Sequence, residues 1–188
     1  MEPQAGQAEN PLAARRLRRH CWRTLPALAL ALALAGCSPS LNWRNATLEG
    51  LRFALPCKPD TAERPLILEG LTLTIAMAGC QAEGALFAVS RITLPPGTAT
   101  GPLLAQWQQA TLARMQAGPV NQRLAPASAQ GSPAMVIYAA SGRNPQGEPV
   151  QAQLVWLQSG TTLFHLALYA PRISAEMQEP FLSAVQLP

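Results

Sequence analysis

An unbroken apolar run, Leu25 to Gly36, ends on Cys37 and separates a leader from everything that can fold. Ahead of it stand Arg15, Arg16, Arg18, Arg19 and Arg23, opposed only by Glu2 and Glu9. A positive stretch, a short apolar core and then small residues is the layout of a secretory signal. A helix of twelve residues spans about 18 Å, well short of the ~30 Å hydrocarbon core of a bilayer. Residues 1–36 are therefore predicted to be a removable signal and not a permanent transmembrane helix. The pairs Arg15–Arg16 and Arg18–Arg19 lack the flanking pattern of a twin-arginine signal.

The four residues closing the run, Leu34-Ala35-Gly36-Cys37, resemble the lipobox of bacterial lipoproteins. The order has a chemical reason: a thiol must accept the lipid, and small residues before it let the backbone enter the peptidase. The resemblance implies cleavage before Cys37, a diacylglyceryl group on its thiol, and a further acyl chain, such as palmitate, on the new N-terminus. Each buried methylene contributes about 0.8 kcal/mol and one chain binds only marginally, so several chains imply a firm anchor. Ser38 stands where the inner-membrane retention signal of enteric bacteria carries Asp. The expectation is thus an outer-membrane lipoprotein facing the periplasm.

Cleavage changes the charge balance. The full chain has 14 Lys+Arg against 10 Asp+Glu; removing the five Arg and two Glu before Cys37 leaves nine against eight. The basic excess belongs to the leader, and the remaining 152 residues have no surplus with which to hold nucleic acid. That length suffices for one domain with a real core. The expected organisation is a signal at 1–36, a lipidated tether at 37–47 and a single domain at 48–188.

Cys21 lies in the leader and Cys37 takes the lipid, which leaves Cys57 and Cys80. In an oxidising compartment such a pair reads as a disulfide. The alternative is two separate reduced thiols.

Leu51–Leu55 reads as a strand stopped by Pro56, and residues 58–65, with Pro59, Asp60 and Pro65, read as loop. Leu71, Leu73, Ile75 and Met77 alternate with polar or small neighbours, the mark of a half-buried strand. Leu66–Glu69 extends it, with Gly70 as a bulge. A turn through Gly79–Gly84 leads into a second strand, Ala85–Ile92. Leu103–Gln116 predicts an amphipathic helix whose inner face is Leu103, Leu104, Trp107, Thr111 and Met115, ended by Gly118–Pro119. Further strands are expected at Met135–Ala140, Val150–Gln158 and Thr161–Tyr169, the last two joined by Ser159–Gly160. A helix within Ser174–Gln186 closes the series, with Pro180 expected at its start or at a kink.

This order predicts an α+β domain with a mainly antiparallel sheet of about five to seven strands and two helices packed on it. Phe53-x-Leu55-Pro56, the FAVS of Phe87–Ser90 and a terminal helix running into Leu187-Pro188 resemble the PsbP-like fold of chloroplast and bacterial proteins. That fold carries diverse scaffold and binding roles, so the resemblance implies no particular activity. One conflict stands at this point. If strand 51–55 formed a hairpin with 66–77, Cys57 and Cys80 would be about 30 Å apart, at ~3.3 Å per residue. A disulfide tolerates only ~5–6 Å between Cα atoms, so either the disulfide or that hairpin must be wrong; we favour the disulfide.

For chemistry the domain offers little. His165 is its single histidine and alternates with the apolar set Phe164, Leu166 and Leu168, which places it on the opposite sheet face. A general base needs a nucleophile and an orienting partner, and no motif supplies them. One His and a cysteine pair do not make a zinc site, and no Gly-rich loop ends in Lys-Ser/Thr. No catalytic, cofactor-binding or metal residues are assigned; Cys37 is assigned to lipidation and Cys57–Cys80 to a disulfide. The function expected is a non-enzymatic, membrane-anchored binding or assembly module with an envelope protein as partner. The alternatives are a carrier of a hydrophobic ligand held between sheet and helices, and a hydrolase using His165. Trp107 and Trp156 read as core, and Trp43 as either a domain contact or a membrane-interface residue.

Overall fold

Three Glu–Gly pairs organise the first half of the domain. Glu49 and Gly50 have φ of 43° and 91°, Glu69 and Gly70 46° and 74°, and Glu83 and Gly84 50° and 70°. Two consecutive positive φ values are what a two-residue hairpin turn requires, because that turn matches the twist of its strands. Each pair accordingly closes a hairpin. The computed structural model describes residues 41–125 and 133–188; the leader and the Leu34–Cys37 motif lie outside them. The strands are β1 (Arg44–Leu48), β2 (Leu51–Leu55), β3 (Asp60–Leu68), β4 (Leu71–Ala82) and β5 (Ala85–Thr93). Helix α1 (Thr100–Arg114) follows, then β6 (Asn121–Leu124), β7 (Val136–Arg143), β8 (Pro149–Ser159), β9 (Thr162–Ala170) and helix α2 (Ala175–Ser183).

Strands β3 to β9 form a seven-stranded antiparallel sheet in the order β3-β4-β5-β9-β8-β7-β6, and β1–β2 forms a separate two-stranded sheet. The expected mostly antiparallel sheet with two helices is present. The long sheet is covered on both faces. Phe87, Val89, Phe164, Leu166 and Leu168 pack against Phe53 and Leu55 of β2, Phe181 of α2 and Val185 just after it. The opposite face sends Ile75, Ile92, Leu154, Trp156 and Leu163 against Leu103 and Trp107 of α1 and Met115 just after it; Leu104 and Thr111, also expected on that inner face, are half-buried. Two cores therefore share one sheet.

Several boundaries differ from expectation, each for a physical reason. Residues 60–65 are not loop. They begin β3, an outer strand where the missing N–H of Pro65 is tolerated, and Pro65 faces Thr74 in register. Gly70 is not a bulge but the second turn residue, since Leu68 pairs directly with Leu71. β4 runs on to Ala82, past Gly79, because its pairing with β5 continues to Ala82↔Ala85. The tether expected to reach residue 47 is shortened by β1, which pairs with β2 from Arg44↔Leu55 to Leu48↔Leu51. Helix α2 begins at Ala175, capped by the Ser174 hydroxyl, which accepts from Met177 N–H at 3.4 Å. Pro180 thus lies inside it, where its ring removes one helical hydrogen bond.

Candidate functional site

The chemistry-bearing side chains gather on the α1 face of the sheet. Alternation along β9 turns His165 away from Phe164 and Leu166, as expected, but the face it reaches is a second core and not solvent. His165 is 7 % exposed. Across the sheet it is flanked by Ser90 of β5 and Trp156 of β8. Its ring stacks on the Trp156 indole at 4.6 Å with 15° between planes. Trp107 of α1 closes from the other side, edge-on at 5.5 Å. Tyr138 meets Trp156 edge-on at 5.2 Å, and Gln108 of α1 reaches the Tyr138 hydroxyl at 3.5 Å. The expectation that Trp107 and Trp156 belong to the core holds, at 5 % and 9 % exposure.

This burial has electrostatic consequences. With no water to solvate the imidazolium, His165 is held neutral and its pKa is pushed down to about 3. Tyr169, on the same face, is pushed up to about 12 by burial, with the Arg114 cation pulling the other way. Among the described residues, neither Nε2 of His165 nor Nε1 of Trp156 has a hydrogen-bond partner. A neutral, enclosed imidazole between two indoles packs well but is poorly placed to accept a proton from a substrate in water.

Cys57 and Cys80 stand at disulfide distance, with Cα atoms 6.0 Å apart. The hairpin that threatened this pairing does not form: β2 pairs with β1. The chain instead leaves Cys57, runs out along β3 and returns along β4, with Asp60 opposite Gly79. Both cysteines therefore lie at one end of the β3–β4 hairpin. Trp43 makes a domain contact, edge-on to Phe87 at 5.7 Å, and Phe87 in turn meets Phe181 at 5.5 Å. Arg91, beneath the β1–β2 turn, pairs with Glu49 and donates to Thr93 Oγ1 at 2.7 Å. The polar connector between β7 and β8 is closed on itself: Asn144 Oδ1 accepts from the N–H groups of Gln146 (3.0 Å) and Glu148 (2.9 Å).

Among the described residues no group of three or more His, Cys, Asp or Glu is placed to hold a metal ion. No helix among them is long and apolar enough to cross a membrane. A groove on the surface is lined by Leu48, Thr61, Glu63 and Ala76, residues of β1, β3 and β4 and not of either helix.

No family model and no curated protein matches the chain. Among solved structures, a Pseudomonas aeruginosa protein of unknown function, PA94, is similar at 14 % identity and a TM-score of 0.35, over 73 % of this chain and 89 % of its own.

Proposed function

We propose that the chain is a bacterial envelope lipoprotein, cut before Cys37, that presents a PsbP-like domain at the periplasmic face of the outer membrane and binds or assembles with other proteins without catalysis. The observation that carries the reading is the spacing of anchor and domain. Trp43, six positions after Cys37, is already packed on Phe87. Six extended residues reach about 20 Å at most, so lipid on Cys37 would hold the domain close to the bilayer. The enclosed, neutral His165 supports a non-catalytic role. Contact with proteins is supported by the outer strands β3 and β6, where Ile67 and Leu124 stand 70 % and 75 % exposed. Sheet edges with exposed apolar side chains are ready templates for another chain.

The test is the intact mass of the protein extracted from membranes. A mass equal to residues 37–188 plus acyl chains, lost in Cys37→Ser, supports the anchor; an unacylated chain starting elsewhere refutes it. Crosslinking in cells then tests the assembly role, which fails if no envelope protein is captured.

A further inference from the structure

The two layers on the sheet are held very differently. α2 has a side-chain N-cap at Ser174, and the chain just after it is bonded to β2 by a reciprocal backbone pair, Arg52 N–H to Gln186 O and Gln186 N–H to Arg52 O, both 2.9 Å. α1 has no side-chain cap and no acidic residue in its first turn, which instead contains Gly101 and Pro102. An irregular segment, residues 94–99, leads into it. Of its fifteen residues only Leu103 and Trp107 are buried. Its attachments are also lopsided. At the C-terminal end Arg143 N–H donates to Met115 O (2.7 Å) and Gly118 N–H to Ser141 O (2.9 Å), tying the helix to β7. Towards the N-terminal end the polar contacts come from side chains: Gln158 to Thr100 Oγ1 at a long 3.5 Å, and Gln106 Oε1 accepting from Glu69 N–H.

Beneath this helix lie the two orphaned polar atoms of the face, His165 Nε2 and Trp156 Nε1. Trp107 is the side chain of α1 that meets the His165 ring, edge-on. We propose that α1 is an acid-released lid over the Trp156–His165 face, hinged at Met115–Gly118 and lifting at its N-terminal end when His165 takes a proton. The groups facing His165 leave no other source for such a response. They are Trp107 from α1, Ser90 from β5 and Trp156 from β8, with Tyr138 and Tyr169 farther along the same face and Arg114 beside Tyr169. Among the described residues no carboxylate steadies an imidazolium there, and burial sets the behaviour of the ring. With the lid down the ring excludes the proton; with the lid up it meets water and binds it at the ordinary histidine pKa of about 6.5. Acid therefore favours the lifted state, and a local opening needs far less energy than global unfolding.

Hydrogen exchange of the purified mature protein, corrected for the intrinsic pH dependence of exchange, reads this directly. Between pH 7.5 and 5 the opening constant for amides in residues 100–114 is expected to rise about 30-fold, through an opening of lower free energy than that of β4 and β5, whose protection follows global stability. In His165→Gln, and in His165→Phe as a variant that keeps an aromatic ring, α1 protection should not change over that range. An α1 that exchanges equally at both pH values overturns the proposal. So does an α1 that opens with the same free energy as the strands at each pH, or the same pH response in either variant. Should both variants fail to fold, the comparison of helix with strands in the native protein still decides.

Discussion

Replacing Cys57 and Cys80 by Ser removes the disulfide that ties the chain just after β2 to β4, and the cost can be worked from the chain. The two residues are 23 positions apart. In the chain-entropy model a closed loop of that size removes roughly 11 cal/mol/K from the unfolded ensemble, or about 3 kcal/mol at 25 °C. A domain of roughly 150 residues has an unfolding entropy near 0.3 kcal/mol/K at its midpoint, so the expected fall in Tm is about 10 °C. The link should matter locally as well. A two-stranded sheet is marginal by itself, and β1–β2 leans on the disulfide at one end and on the Gln186 bridge and the Glu49–Arg91 pair at the other. Thermal unfolding followed by circular dichroism, for the double variant and for the unaltered protein with and without reductant, measures the effect. A fall of less than about 2 °C, or full alkylation of both thiols before reduction, would show that the cysteines do not constrain the chain and that the reasoning is wrong.

His165 should make the domain acid-sensitive. Its folded pKa lies below its unfolded value, so the unfolded state binds the extra proton and stability is lost as pH falls from about 6.5 towards 3. Denaturant titrations should show about 2 kcal/mol lost by pH 5 in the native protein, and His165→Phe should remove that part of the loss. Gly142→Ala should destabilise by about 1–3 kcal/mol, because a Cβ there would lie 2.2 Å from Met115 O at the point where α1 is tied to β7; an unchanged midpoint would contradict that close approach. Phe164→Ala, which empties a fully buried site under β2 and α2, should cost about 3–5 kcal/mol in urea unfolding. Cys37→Ser should abolish incorporation of labelled fatty acid while leaving the circular dichroism of the exported domain unchanged.

What could be read from the sequence is what local burial and backbone chemistry dictate. Leu71, Leu73, Ile75 and Met77 announce a strand because one face of β4 must leave water, and Leu103, Trp107 and Met115 announce a helix at their own spacing. The Glu–Gly pairs at 49, 69 and 83 are a weaker signal, since both residues of such a turn need positive φ and Glu, unlike Asn or Asp, does not favour it; Gly70 therefore reads as a bulge from the sequence. β1 and β6 carry no comparable signal. Asn121–Leu124 is exposed throughout, and such a strand exists because a neighbouring backbone offers a ladder and not because a face must be buried. For the same reason the identity of the cysteine pair followed from counting thiols, while the path that joins them waited on β3 running back along β4. His165 shows the division most plainly. Alternation placed it away from Phe164, but only the passage of α1 across that face, setting Trp107 against the His165 ring, turned an ordinary strand position into an enclosed one. Periodicity along a chain reports which side a residue faces; what stands on that side is a long-range contact, and only the tertiary structure decides it.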